Sequence, residues 1–275
     1  MADNDLALMA HLLRRAGFGA ARSELEEYAA KGYEAVVEEL LHPEEQPAIS
    51  DELMYRIFPG YEGALGPPIN QADWVFRMVN TKRPLEEKMA LFWHQLFATN
   101  LFGPVELTKA LLPAMRKKGS GRIVVISSQG GIRGMPGIST YSASKGALER
   151  WAESMSQEIA PFGLGVTILV TGTFKTEILT EQTPDYGDHN GPYAKVYEGI
   201  HTTGREFVDK NAAPPEKFAL ALSAAIDDDA PIRRRTVGPD AAGLYIMARL
   251  LPGNLVHKII RKAMKLPAQN ALKNA

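Results

Sequence analysis

GRIVVISS, Gly121–Ser128, is the run on which the fold turns. Its four consecutive β-branched residues, Ile123 to Ile126, show no alternation of apolar with polar, so the strand they form is apolar on both faces and is expected to lie buried between layers. Downstream comes a helical pattern at about 140–160, then a second continuous apolar run, Val166 to Val170 (VTILV). Two such runs joined by a helix predict parallel strands in a βαβ unit. Working outward, a helix at 103–117 precedes the first strand. A helix near 214–226, a short strand around Thr236 and Val237, and helices at 240–250 and 253–264 complete the chain. From residue 5 to about 99 the spacing is helical throughout, in DLALMAHLL, SELEEYAAKGYEAVVEELL, ADWVFRMV and PLEEKMALFWHQLF. The stretch from Phe58 to Pro68, rich in glycine and proline, reads as a loop or linker, and Pro84 followed by Glu86 and Glu87 reads as a helix start.

At 275 residues the chain is long enough for one large α/β domain or two small ones. Its 31 lysines and arginines nearly balance 32 aspartates and glutamates, so no global field steers it toward nucleic acid or an acidic membrane, and small molecules are the expected ligands. The absence of cysteine excludes disulfides, thiolate nucleophiles and cysteine metal sites. The first residues, MADNDLALMAHLLRR, place acids before a short apolar patch, unlike a signal peptide, and no apolar run approaches membrane-spanning length. A cytoplasmic protein is the expectation.

YSASK sets Tyr141 and Lys145 four residues apart near the start of the long helix, on one face of it. Reduction of a carbonyl needs a proton donor beside the hydride acceptor. A tyrosine hydroxyl does this work at neutral pH when a neighbouring cation favours its phenolate, and Lys145 is placed to supply that charge. Ser128 lies just past the strand Arg122 to Ser127 (RIVVIS), where a parallel sheet presents its ligand-binding groups. Taken alone, Tyr-x-x-x-Lys also reads as an ordinary helix surface pair.

The larger assembly is more specific. Asn100-Leu-Phe-Gly103, Gly121 to Ser128, Tyr141-Ser-Ala-Ser-Lys145 and Thr171-Gly172-x-x-x-Thr176, in that order, resemble the catalytic half of the short-chain dehydrogenase/reductase family over about residues 100–250. The resemblance implies NAD(P)-dependent interconversion of a small-molecule alcohol and carbonyl. It assigns Tyr141 as general acid/base, Lys145 to tuning it and binding the nicotinamide ribose, and Ser128 to orienting the substrate oxygen. Asn100 matches the asparagine that anchors a proton-relay water, and Gly172 and Thr176 match the segment that contacts the nicotinamide carboxamide of NAD or NADP. Thr171 stands where the family usually has proline. The stretch from about Thr180 to Gly204, with Tyr186, Tyr193 and Tyr197, falls where the family keeps its substrate lid, and reads equally as a surface loop and helix. The helices at 103–117 and 140–160 match those through which the family commonly forms a homodimer.

The strand, glycine-rich turn and helix with which such a dehydrogenase opens, and which hold the pyrophosphate, have no counterpart here. Gly17-Phe-Gly19 follows a helix and reads as a helix-ending turn. Residues 6–99 instead resemble the N-terminal part of a largely uncharacterised helical family, through His11 to Gly19, Trp74 to Met78 and Arg83 to Thr99. His94, beside Trp93, reads there as a packed helix residue. The expected fold is therefore α/β: an all-helical segment over 1–99, then a partial Rossmann-like catalytic half over 100–275 that keeps only the C-terminal strands of a doubly wound parallel sheet. The chain reads as a fusion joined near Thr99 and Asn100. RIVVIS becomes an edge strand, to be covered by the N-terminal helices or a second chain, or else a cause of poor solubility. Two functional readings stand side by side: an oxidoreductase, and a catalytically inactive dimerisation or binding module or fusion artefact lacking a cofactor site. Arg233 to Arg235 read as an anion site or the solvated start of a strand, and LVHKIIRKAMK as a weak membrane contact or an ordinary terminal helix.

Overall fold

The computed structural model describes residues 3–50, 56, 67–177 and 189–273. The chain divides into two compact units, residues 1–95 and 96–275. In the first, α1 (Asp3–Ala16), α2 (Arg22–Lys31) and α3 (Tyr33–Leu41) are followed by α4 (Pro67–Asn80) and α5 (Pro84–Phe97), the last running to the joint with the second unit. The buried core is Met9, Leu13, Val36 and Leu40, with Leu25, Tyr28 and Leu85 packed against it. Gly19 ends α1 with φ +91°, its N–H donating to the Leu13 carbonyl, which is the helix-ending turn the sequence predicts. His94 meets Trp74 edge to face at 5.0 Å, as a packed helix residue does. Residues 58–66 of the sequence-read loop lie outside the described residues, while Pro67 and Pro68 open α4: with no N–H to lose, proline suits a first helical turn.

The second unit begins with a single π turn, Ala98–Phe102, then α6 (Gly103–Lys118), β1 (Gly121–Ser128), the four-residue helix α7 (Gln129–Ile132) and α8 (Ser139–Ile159). After β2 (Leu164–Thr171) come α9 (Ala194–Asn211), α10 (Pro215–Ile226), β3 (Ile232–Val237), α11 (Pro239–Leu250) and α12 (Gly253–Ala263). The units part at Gln95 and Leu96, four residues before the sequence-read joint. Residues just past that point belong with the sheet: Leu101 packs on its core and Asn100 bonds to α8.

Among the described residues the sheet has three parallel strands in the order β1-β2-β3, with Gly121 opposite Leu164 and Val166 opposite Ile232. The central strand β2 is buried from Leu164 to Val170. Its alternate residues Val166, Ile168 and Val170 face Leu148, Ala152, Met155 and Ile159 of α8. Leu169 faces the other way, against Ala225 and Val237, with Phe218 and Leu222 of α10 closing the layer. Helices thus cover both faces, which is why the runs are continuously apolar. β1 lies at an edge, and Ile126 is 36% exposed.

β3 is longer than the two residues its apolar content suggests. It runs through Arg233, Arg234 and Arg235 because carboxylates receive all three. Arg235 donates twice to Asp228, Arg233 lies 3.6 Å from the same carboxylate, and Arg234 reaches Glu149 and Glu153. The arginines are therefore structural pairs. The Asp228 side chain is 2% exposed, accepts also from the Thr167 hydroxyl, and is held at about 2 instead of 3.8, chiefly by the Arg235 bond. Because the folded-state value is depressed, this stabilisation is present above about pH 4 and is lost as the pH falls through about 2. Asp228→Asn is expected to cost about 1–2 kcal/mol at pH 7, allowing for screening of the half-exposed guanidiniums, and almost nothing near pH 2. Urea denaturation at both pH values checks it; an equal loss at both would mean that the charge is not the cause.

Candidate active site

The site assembles where β1 ends and α8 begins. Ser128 is extended, and its hydroxyl accepts from the Gly130 N–H at 3.2 Å, capping α7. Gly130 also stands against Tyr141: a β-carbon there would lie 3.5 Å from two carbons of that ring. The glycine thus lets the loop after Ser128 close onto the first turn of α8.

One turn further along α8, the Lys145 ammonium lies 5.8 Å from the centre of the Tyr141 ring and donates to the Ile126 carbonyl at 3.0 Å. Burial pushes this ammonium below the 10.5 of a free lysine. Asn100 joins the same neighbourhood. Its amide donates to the Ser144 hydroxyl at 3.0 Å, and that hydroxyl donates to the Tyr141 carbonyl at 2.8 Å. Gly172 follows β2, with its N–H on the Val237 carbonyl at 2.8 Å. It adjoins this end of the sheet because Ser128 and Thr171 are register partners and the Thr171 hydroxyl donates to the Ser127 carbonyl. Five of the six residues singled out in the sequence therefore cluster at the carboxyl ends of β1 and β2. Thr176 lies beyond them, exposed. Tyr186 lies outside the described residues, whereas Tyr193 and Tyr197 sit at the start of α9 with ring centres 6.5 Å apart.

The sequence reading missed three groups. Asp240 accepts from the Thr173 N–H at 2.7 Å, and a β-carbon at Gly172 would collide with its Oδ1, an oxygen that is buried without a hydrogen-bond partner. An acid in the first turn after Gly-Pro was the available signal. Ser127 and Glu149 form a buried pair at 2.5 Å beneath the site. Glu149 falls at the spacing of the apolar face of α8, which is where a buried acid can be suspected from sequence.

Residues 78–187 match the short chain dehydrogenase family profile, and residues 11–116 match a family described as a protein of unknown function, DUF1800. Oxidoreductase BOA17 of Botryotinia fuckeliana is 33% identical over 196 residues, 70% of this chain and 69% of that protein. The chain belongs to the short-chain dehydrogenase family. Another relative, a 3-ketodihydrosphingosine reductase of Bacteroides thetaiotaomicron, is 34% identical over 172 residues, 59% of this chain and 61% of that protein. A crystal structure of a short-chain dehydrogenase from Streptomyces avermitilis is 35% identical, with 63% of this chain and 61% of that chain covered and a TM-score of 0.49. This short-chain dehydrogenase thus spans about three-fifths of the length of several relatives it matches. Among its described residues no helix is long and apolar enough to cross a membrane.

Proposed function

We propose that this short-chain dehydrogenase is an NAD(P)-dependent oxidoreductase interconverting a small-molecule alcohol and carbonyl, with Tyr141 as general acid/base. The observation that carries the reading is the half-buried Lys145 ammonium beside Tyr141, the charge that a tyrosine needs to give and take a proton near neutral pH. Ser128 at the strand end orients the substrate oxygen, and Asn100, through Ser144, fixes the first turn of α8 that carries Tyr141.

The donor set fits the nicotinamide end of NAD or NADP. Lys145 has donors to spare beyond its bond to Ile126 and is suited to the ribose hydroxyls. Gly172 makes room for the Asp240 carboxylate, whose buried Oδ1 has no hydrogen-bond partner, and Thr176 follows it. Bound there, the cofactor would supply the hydride, since no side chain can. For the pyrophosphate, the described residues before β1 offer helices instead of a strand and glycine turn. The same reading includes a homodimer formed through α6 and α8, where Leu107 and Leu111 are exposed. It also includes an origin by fusion of segments 1–99 and 100–275, the joint falling within the π turn at Ala98–Phe102.

Titration with NADH and with NADPH, followed by nicotinamide fluorescence, tests the proposal. Saturable binding is expected, weakened about tenfold or more by Lys145→Ala through loss of a charge-assisted hydrogen bond. Folded protein that binds neither cofactor would leave the inactive-module reading in its place.

A further inference from the structure

A cavity of about 670 Å³ opens beside Gly130, between the loop after β1, the first turn of α8, α9 and α12. Its size is that of pockets for small organic ligands. Ile132, Met135, Pro136, Val196, Ile260 and Leu266 give it apolar walls. Among the described residues the ionisable groups that line it are all basic: Arg133, His257 and Arg261. His257 and Arg261 are four apart on α12, so they share one face, with Ile260 between them. Arg133 comes from the opposite wall and reaches the Gly253 carbonyl at 2.6 Å, while Arg261 donates to the Pro267 carbonyl. Each guanidinium has five donors, and these carbonyl bonds leave most of each fork unused and its charge uncompensated by any carboxylate among the described residues that line the cavity. Uncompensated positive charge at an apolar, partly enclosed surface favours an anion attached to a hydrophobic body.

We propose that this cavity binds an amphiphile with a compact anionic head, carboxylate or phosphate, held by Arg133 and Arg261, its apolar chain lying along Met135, Val196 and Ile260. Gly130 forms part of the cavity wall, and a β-carbon on it would lie 3.5 Å from the Tyr141 ring, so the cavity adjoins the site; that the bound amphiphile is the substrate of the oxidoreductase rests on the function proposed above.

The experiment is calorimetric titration of the whole chain with four ten-carbon probes below their micelle-forming concentrations: decanoate, decyl phosphate, decan-1-ol and decyltrimethylammonium. Decanoate or decyl phosphate, whichever head the site takes, is expected to bind saturably and about tenfold or more tighter than the alcohol, with the cation weakest. Arg133→Ala combined with Arg261→Ala should reduce the anion to the affinity of decanol. Since that variant also loses two bonds that anchor α12, Val196→Trp serves as a second test: it keeps both arginines, narrows the apolar wall where the chain would lie, and should weaken binding of every probe. Equal affinity for all four heads, or anion binding untouched by both variants, would overturn the proposal. Tyr141→Phe should bind the anion normally while losing turnover, whereas a parent protein that binds the anion yet turns over no carbonyl refutes the oxidoreductase reading and leaves the binding site standing.

Discussion

Replacing Tyr141 with phenylalanine is expected to lower carbonyl reduction by about 10²–10⁴-fold, the weight of one positioned general acid, while leaving the fold intact. Phe keeps the ring, which stands where a β-carbon on Gly130 would lie 3.5 Å from it. Stability should therefore stay within about 0.5 kcal/mol of the parent, and a thermal melt recorded beside the rate separates a chemical loss from a structural one. Lys145 supplies a second signature. On the proposed mechanism the ammonium serves Tyr141 only while protonated, and burial lowers the pH at which that proton leaves. Activity should therefore fall on the alkaline side of a limb lying below the 10.5 of free lysine, and Lys145→Arg, which stays charged, should move that limb upward if it retains turnover. Undiminished rate in Tyr141→Phe would remove this residue from the chemistry and with it the proposed mechanism.

Legibility in the sequence followed chemistry that leaves a pattern. β1 and β2 announce themselves because burial between two helical layers demands unbroken apolar runs, and Tyr141, Lys145, Ser128 and Asn100 were singled out because their order and spacing resemble a known catalytic set. β3 was read only at Thr236 and Val237. Three successive arginines conceal a strand whose charges are neutralised by Asp228, Glu149 and Glu153, partners as far as 85 residues away in sequence. No local pattern encodes such a pairing. Asp240 was missed for a related reason: its role depends on the bare α-carbon of Gly172 and the turn at Gly238, with φ +105°, coming together from separate strands. The cavity needed the fold as well. In isolation LVHKIIRKAMK is a basic amphipathic helix suited to solvent or a membrane surface; only the packing of Val256, fully buried, turns His257, Ile260 and Arg261 toward the loop after β1.

Glu149→Ala is expected to be the most damaging single change to stability, costing about 3–5 kcal/mol. The carboxylate is 0% exposed, accepts the Ser127 hydroxyl at 2.5 Å and receives one arm of Arg234, whose other arm goes to Glu153 at 2.7 Å. Removing it takes one of two carboxylates from a guanidinium whose side chain is only 16% exposed, leaving it on Glu153 alone, and leaves the buried Ser127 hydroxyl without its acceptor. Two further variants separate the causes. Glu149→Gln keeps the hydrogen-bonding shape but not the charge, and should retain part of the loss. Glu149→Leu combined with Arg234→Met removes both charges and should recover much of it, because a buried ion pair repays its own desolvation poorly. Denaturant unfolding of the set decides between them, and a double variant as weak as Glu149→Ala would show that packing, not the under-paired charge, is the cause. The network has a second function that the same set exposes. Ser127 adjoins Ser128, and the Gly131 α-carbon is so close to both Ser127 Oγ and Glu149 Oε1 that a β-carbon would fall 2.6 Å from each. The bonds therefore hold the end of β1 and the start of the loop against α8, the two elements that carry Ser128 and Tyr141. A double variant that regains stability but not turnover would identify Glu149 as a positioning residue, kept for the placement of the site and not for the energy of the fold.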